Sequence, residues 1–150
     1  MKFEIIILGC GSATPTLVRN PTSQVVNVME RYMMIDCAEG TQLQLRKYKV
    51  AFQKIDHIFI SHLHGDHYLG LVGLVSSFHL FGRNKTLHIY GPADLERIIF
   101  DQLKASKTFL CYQVEFHSLT SNSSELIFED SILEVHTIPL KHRIYCNGFL

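Results

Sequence analysis

The chain has 150 residues, 47% of them hydrophobic and 19% charged, with a mean hydropathy of +0.11. That fits a single domain, 1–150, with enough apolar side chain for a core, and it excludes a disordered chain. Fourteen basic residues cancel fourteen acidic ones, so global charge offers phosphates no attraction and any nucleic-acid surface must be local.

Phe3 to Leu8 is apolar and β-branched and stops at Gly9 and Gly11, which predicts a buried strand. Gln24 to Met29 and Tyr32 to Ile35 read as two further strands turning at Glu30-Arg31, with Asp36 directly after them. Thr41 is placed to N-cap a helix running to about Lys49. Ile55 to Ile60 is another buried strand, and beyond Ser61 comes a histidine cluster. Tyr68 to Phe81, apolar on most faces, predicts one helix packed on a sheet, and Thr86 to Tyr90 a strand. Pro92 suits the first position of a helix whose first turn carries Asp94 and Glu96 and whose apolar face is Leu95, Ile98, Ile99 and Leu103. Tyr112 to Leu119 and Glu125 to Glu129 are strand-like, and Ile132 to Ile138 alternates as a half-exposed strand does. Pro139 to Arg143 reads as a loop, and the chain stops within a strand-like run from Ile144, as a cut chain does.

No stretch approaches the ~18 apolar residues of a membrane span, and the apolar N-terminal run is too short for a signal peptide. Cys10, Cys37, Cys111 and Cys146 form no C-x-x-C pair and read as buried small hydrophobes. A reducing, cytoplasmic setting follows as the expectation.

The chemistry concentrates in His62-Leu63-His64-Gly65-Asp66-His67. A strand delivers this run to a fixed point. His62 and His64, two apart, aim the same way in extended chain. Gly65 permits a tight bend, and Asp66 and His67 then start the following helix and face a second point. Imidazoles with one carboxylate suit Zn²⁺ or a similar borderline ion. Nine histidines also make the chain sensitive to mild acid, which protonates metal-binding imidazoles.

H-x-H-x-D-H after a buried strand resembles the signature of the metallo-β-lactamase superfamily. Other segments resemble the ribonuclease Z family, endonucleases of tRNA 3′ processing. They are Leu8 to Thr16 with Arg19-Asn20, and Asp36-Cys37-Ala38-Glu39-Gly40-Thr41-Gln42, where Ala38 replaces the usual Gly. They continue with Ser61 to His67 followed by Gly70-Leu71 and Gly73-Leu74, where Ser61 replaces Thr, and with Pro139 to Arg143 followed by Asn147-Gly148-Phe149. The resemblance runs from Ile7 to the last residue. It implies an α/β fold: the N-terminal half of a metallo-β-lactamase-type αβ/βα sandwich, a mixed sheet with helices on its outer face. It implies a zinc-dependent endoribonuclease that removes the 3′ trailer from precursor tRNA, with two Zn²⁺ per complete active site. His62, His64 and His142 would hold the first zinc and Asp66 and His67 the second. Asp66 would also manage the proton of the attacking water, and Asp36 would sit beneath the site and hold a ligand histidine. The family's later bridging Asp, last His ligand and tRNA-gripping arm lie beyond the third motif, so this chain would hold the first half of the centre and be inactive alone.

Two other readings stand beside this one. One is another hydrolase of the superfamily, arylsulfatase-like or a phosphodiesterase. The other is a non-catalytic metal-binding fragment, whose bare sheet face predicts self-association, a homodimer being the simplest form. His57, His79, His88, His117 and His136 read as structural. Glu39 either lies by the site or caps the helix at Thr41. Arg19 and Asn20 either contact RNA phosphate or fix their loop, and Lys141 and Arg143 either meet a phosphate or are solvated charges.

Overall fold

The computed structural model describes residues 2–150. Strands β1 (Phe3–Gly9), β2 (Ser23–Val28), β3 (Arg31–Cys37), β4 (Ile55–Phe59), β5 (Leu87–Pro92) and β6 (Val114–Leu119) form one sheet in sequence order. The first three are antiparallel, and β3 through β6 run parallel. Between them lie α1 (Thr41–Lys47), α2 (Gly65–Tyr68), α3 (Leu71–Leu80) and α4 (Asp94–Ala105). A second, antiparallel sheet holds β7 (Leu126–Glu129), β8 (Glu134–Pro139) and β9 (Asn147–Phe149). This is the expected mixed sheet with helices.

Strand alternation sorts the two faces. Met34, Ile58 and Ile89 lie side by side in register and pack under Leu45 of α1, Leu74 and Phe78 of α3, and Leu95 and Ile99 of α4. Their neighbours Met33, Phe59 and Tyr90 point the other way and meet Val135 of the small sheet, with Phe128 and Phe149 against them. Each fully buried side chain of this size contributes ~1.5–3 kcal/mol. Small-sheet packing leaves the β1 end bare: Phe3, Ile5 and Ile7 are 60%, 51% and 50% exposed. The expected burial of this strand is therefore half wrong. It is the sheet's edge, and one of its two faces meets only solvent.

Other expectations shift by a residue or two. The β2–β3 turn is Met29-Glu30, both with positive φ, the primed geometry that matches strand twist without the usual Asn-Gly. Thr41 does not cap α1. Gly40 does, in a left-handed conformation, and Thr41 Oγ1 donates back to the Ala38 carbonyl. Pro92 closes β5, and α4 starts at Asp94. The single helix expected over Tyr68 to Phe81 is two, α2 and α3, parted at Leu69-Gly70. Gly70 donates to the Cys37 carbonyl at 2.9 Å, and a Cβ there would fall 2.0 Å from the Ala38 carbonyl oxygen. Only glycine lets the helix junction sit directly on the end of β3. Cys37 and Cys146 are buried as expected, whereas Cys10 and Cys111 are exposed. Among the described residues, no helix is long and apolar enough to cross a membrane.

Candidate metal centre

Parallel strands place their C-terminal ends along one edge of the sheet. The end of β4 carries Ser61 to His64 onto that edge, and α2 follows at once with Asp66 and His67. The loop between β8 and β9 brings His142, tied in place by the Asn147 N–H donating to the Ser61 carbonyl at 3.0 Å. His62 is buried, and its Nε2 lies 3.1 Å from His64 Nδ1. The His142 ring centroid is 4.7 Å from that of His62 and 4.9 Å from that of His64. One donor nitrogen from each of the three falls within 4.8 Å of the other two.

Asp36 anchors the group from below. It is the last residue but one of β3, skipped by a register shift, with φ of 57°, a left-handed conformation that re-aims its side chain. Its Oδ1 accepts from the Ser61 N–H at 2.8 Å, and its Oδ2 accepts from His67 Nδ1 at 2.7 Å and from Ser61 Oγ at 3.0 Å. With Nδ1–H donated to a carboxylate, His67 turns the lone pair of Nε2 into the site. Ser61 does the same for His62: its hydroxyl donates to Asp36 and accepts from His62 Nδ1 at 3.1 Å. In the sequence Ser61 stands only as a replacement for Thr, with no direct sign of this link. Its position one residue before His62 and the absence of a larger side chain were the available signal. Burial alone would lower His67, but the hydrogen bond and charge of Asp36 outweigh it and leave the imidazole above its ordinary pKa.

Asp66 is reached from the far end of the sequence. The loop after β1 returns over the site, and the Ala13 N–H donates to Asp66 Oδ2 at 2.8 Å. The same oxygen lies 3.5 Å from His67 Nε2. Burial would raise the Asp66 carboxyl, but the Ala13 N–H and the His67 charge overcome it and hold the group below the usual value. Arg143 is more than a solvated charge. Its guanidinium donates to His64 Nε2 at 3.1 Å and lines the site. Burial and the Arg143 charge both push His64 below its ordinary pKa. Glu39 faces the same space and caps no helix. Arg19 and Asn20 fix their loop through the backbone: Arg19 exchanges bonds with Thr16, and the Asn20 carbonyl accepts from Gly11. The cavity so formed has a volume of ≈ 590 Å³ and opens to solvent.

These donors fit metal. Ligands around a tetrahedral ion with bonds of ~2.0–2.1 Å stand ~3.3 Å apart. The His62–His64 contact at 3.1 Å and the Asp66–His67 contact at 3.5 Å bracket that spacing. Burial and the neighbouring imidazoles depress His62 to about 4, so it is neutral and ligand-competent at pH 7.

A family model described as Anti-Pycsar protein Apyc1 matches residues 3–108. The chain belongs to the Apyc1 family. It is 51% identical over 149 residues to a Bacteroides fragilis protein named Ribonuclease Z, a match covering 99% of this chain and 49% of that protein. It thus spans about half the length of the curated relatives it matches. Human tRNase Z, short form, has 33% identity and a TM-score of 0.89, with 97% of this chain and 62% of that one covered. The metallo-β-lactamase fold protein YhfI from Bacillus subtilis, at 20% identity and TM-score 0.73, covers 97% of this chain and 56% of its own. The resemblance to ribonuclease Z and the metallo-β-lactamase-type fold read from the motifs are both shown by these matches. The Apyc1-family match stops at residue 108, so it includes His62 to His67 and not the loop that carries His142.

Proposed function

We propose that the whole protein is a zinc-dependent endoribonuclease of the ribonuclease Z type. It removes the 3′ trailer from precursor tRNA and leaves a tRNA 3′-hydroxyl and a 5′-phosphorylated trailer. The observation that carries this reading is the similarity to Ribonuclease Z over 99% of the chain, with the matching motif residues meeting in one open cavity. In this reading His62, His64 and His142 hold one Zn²⁺, and Asp66 and His67 contribute to the second. Paired ions of this kind supply Lewis-acid charge beside a phosphodiester and lower the pKa of water.

The protein's own residues do the rest. Asp36 and Ser61 fix the tautomers of His67 and His62. Asp66, acceptor-only at pH 7, takes a proton from the attacking water while the Ala13 N–H keeps its carboxylate aimed. Water oxygen bonds to phosphorus, the bond to the tRNA 3′-oxygen breaks, and that oxygen leaves and takes a proton from solvent, to which Asp66 returns the one it accepted. Arg143 stands at the rim, where a guanidinium stabilises a phosphoryl group as charge builds on it. The cytoplasm is the setting this reading requires, since it holds precursor tRNA and keeps the four free cysteines reduced.

The bare edge formed by Phe3, Ile5 and Ile7 supports self-association of this 150-residue chain, with a homodimer as the simplest form. One observation favours a second reading: the family model carries a description other than ribonuclease. A phosphodiesterase acting on small diesters would use the same centre. Incubation of the whole protein, not of this half alone, with precursor tRNA and with a bis-aryl phosphodiester separates the two. Trailer release that depends on His64 and His142 is the expected result, and hydrolysis of the small diester alone overturns the tRNA reading.

A further inference from the structure

A second group of ligand-type side chains lies on the face of the large sheet that looks toward the small one. His88 on β5 is in register with Glu115 on β6. His117, two residues on, points to the same face of β6. His88 Nδ1 lies 3.1 Å from His117 Nε2 and 3.4 Å from Glu115 Oε2. One donor atom from each residue falls within 4.8 Å of the other two. Those two edges, 3.1 and 3.4 Å, bracket the ~3.3 Å separation of ligands around a tetrahedral ion with ~2.0–2.1 Å bonds. The rings are held from both sides. Tyr90 stacks on His117 at 4.3 Å and 12°, and His57 stacks on His88 at 5.0 Å and 13°. His57 Nδ1 is itself buried without a hydrogen-bond partner, a further imidazole nitrogen left over beside the cluster.

We propose that His88, Glu115 and His117 form a second metal site, separate from the centre at His62, that takes a borderline divalent transition-metal ion such as Zn²⁺. Two imidazoles and one carboxylate are a donor set this class of ion prefers. The His88 and Glu115 side chains are 29% and 41% exposed, which gives an ion entry and leaves room for water as a fourth ligand. Burial and the neighbouring His88 hold His117 below its ordinary pKa, so the ring is neutral as ligation requires. His57, the register partner of His88, precedes His62 by five residues, which at ~3.3 Å per residue puts the two clusters on the order of 15 Å apart. At that distance the ion takes no part in the chemistry of the open cavity. Its role is a clip: it ties β6, the last strand of the sheet, to β5 by something stronger than the ladder alone.

The test is a Co²⁺ titration read by visible absorption and by metal analysis after gel filtration. In the His64→Ala/His142→Ala variant, one Co²⁺ per chain remains, with the absorption of a four-coordinate site. Adding His117→Gln or Glu115→Gln weakens that binding at least tenfold. In the otherwise unmodified protein, His117→Gln lowers tightly bound metal by one equivalent, and Zn²⁺ raises the melting temperature less than it does without the substitution. Circular dichroism confirms that each variant is folded before its count is taken. A count unchanged by His117→Gln in the unmodified protein shows that the three residues are only a hydrogen-bonded stack and overturns the proposal. Loss of trailer cleavage is not the readout, so failure of the ribonuclease reading leaves this result separate.

Discussion

The backbone N–H of Ala13 donates to Asp66 Oδ2 at 2.8 Å across 53 residues of sequence. Ala13 has a φ of 61°, so a left-handed turn in the first loop aims that donor. Ala13→Pro removes the N–H and forbids the φ, whereas Ala13→Gly keeps both. Carboxyl titration by NMR on chelator-treated protein should therefore show the Asp66 pKa rising in Ala13→Pro and holding in Ala13→Gly. An Asp66 that titrates alike in both variants means the loop has no hold on it.

Asp36 accepts from Ser61 twice and from His67 once while 3% exposed. Asp36→Asn keeps the shape but loses the charge, and one of its two polar atoms becomes a donor facing donors. The expected cost is about 1–3 kcal/mol in urea unfolding. The His67 pKa should fall in the same variant, because the Asp36 hydrogen bond and charge are what lift it over the effect of burial. A His67 titration still raised in Asp36→Asn contradicts the anchoring role.

Gly70→Ala should be among the costlier substitutions outside the histidine cluster. Its Cβ would stand 2.0 Å from the Ala38 carbonyl oxygen, so α2 and α3 must move off β3. Overpacking of this kind costs about 1–3 kcal/mol. Gly82→Ala is the control: its new Cβ meets nothing within 4 Å, and only its φ of +70° resists, at about 1 kcal/mol. Equal melting temperatures for the two variants would refute the close-approach argument.

His57 makes the metal-free protein sensitive to acid. Burial and the His88 charge depress it to about 4 from an ordinary 6.5. Between those values the unfolded chain binds a proton that the folded chain refuses, so stability rises with pH from about 4 to 6.5 and is lost as pH falls through that window. His57→Phe should flatten the slope measured by urea unfolding at stepped pH with chelator present. A slope unchanged by the substitution assigns the effect to other histidines.

Ile5→Lys places a charge in the middle of the bare β1 face, where Ile5 is 51% exposed. The parent should associate in sedimentation-velocity runs at micromolar concentration, and the variant should shift at least tenfold toward monomer. A parent that sediments as a monomer throughout removes the self-association reading.

Much of this was legible in the sequence because periodicity and motif spacing are local. Ile55 to Ile60 announces its strand, and His62 to His67 announces a site at its end. What sequence could not carry was set by distant partners. Whether Phe3, Ile5 and Ile7 face a layer or solvent depends on elements over a hundred residues away. The junction at Gly70 follows from a contact with Ala38, and the hold of Ala13 on Asp66 from the path of a loop. Arg83 is 4% exposed, its guanidinium donating to the Ile55 and Thr86 carbonyls and to Asp56, partners that only the fold brings around it. His88 and His117 look unremarkable alone, since only the parallel register of β5 and β6 brings them together.

The loop that carries His142 joins the centre 80 residues after His62, as 142 − 62 gives. At ribosomal speeds of about 5–20 residues per second, that gap lasts roughly 4–16 s. During synthesis, then, the strand end at His62 and His64 emerges well before His142. In the reading proposed above, an ion captured in that interval would meet only the ligands of one short segment, His62 to His67. On that reading tight retention would wait for the loop at His142, and metal loading would come late in the life of the nascent chain.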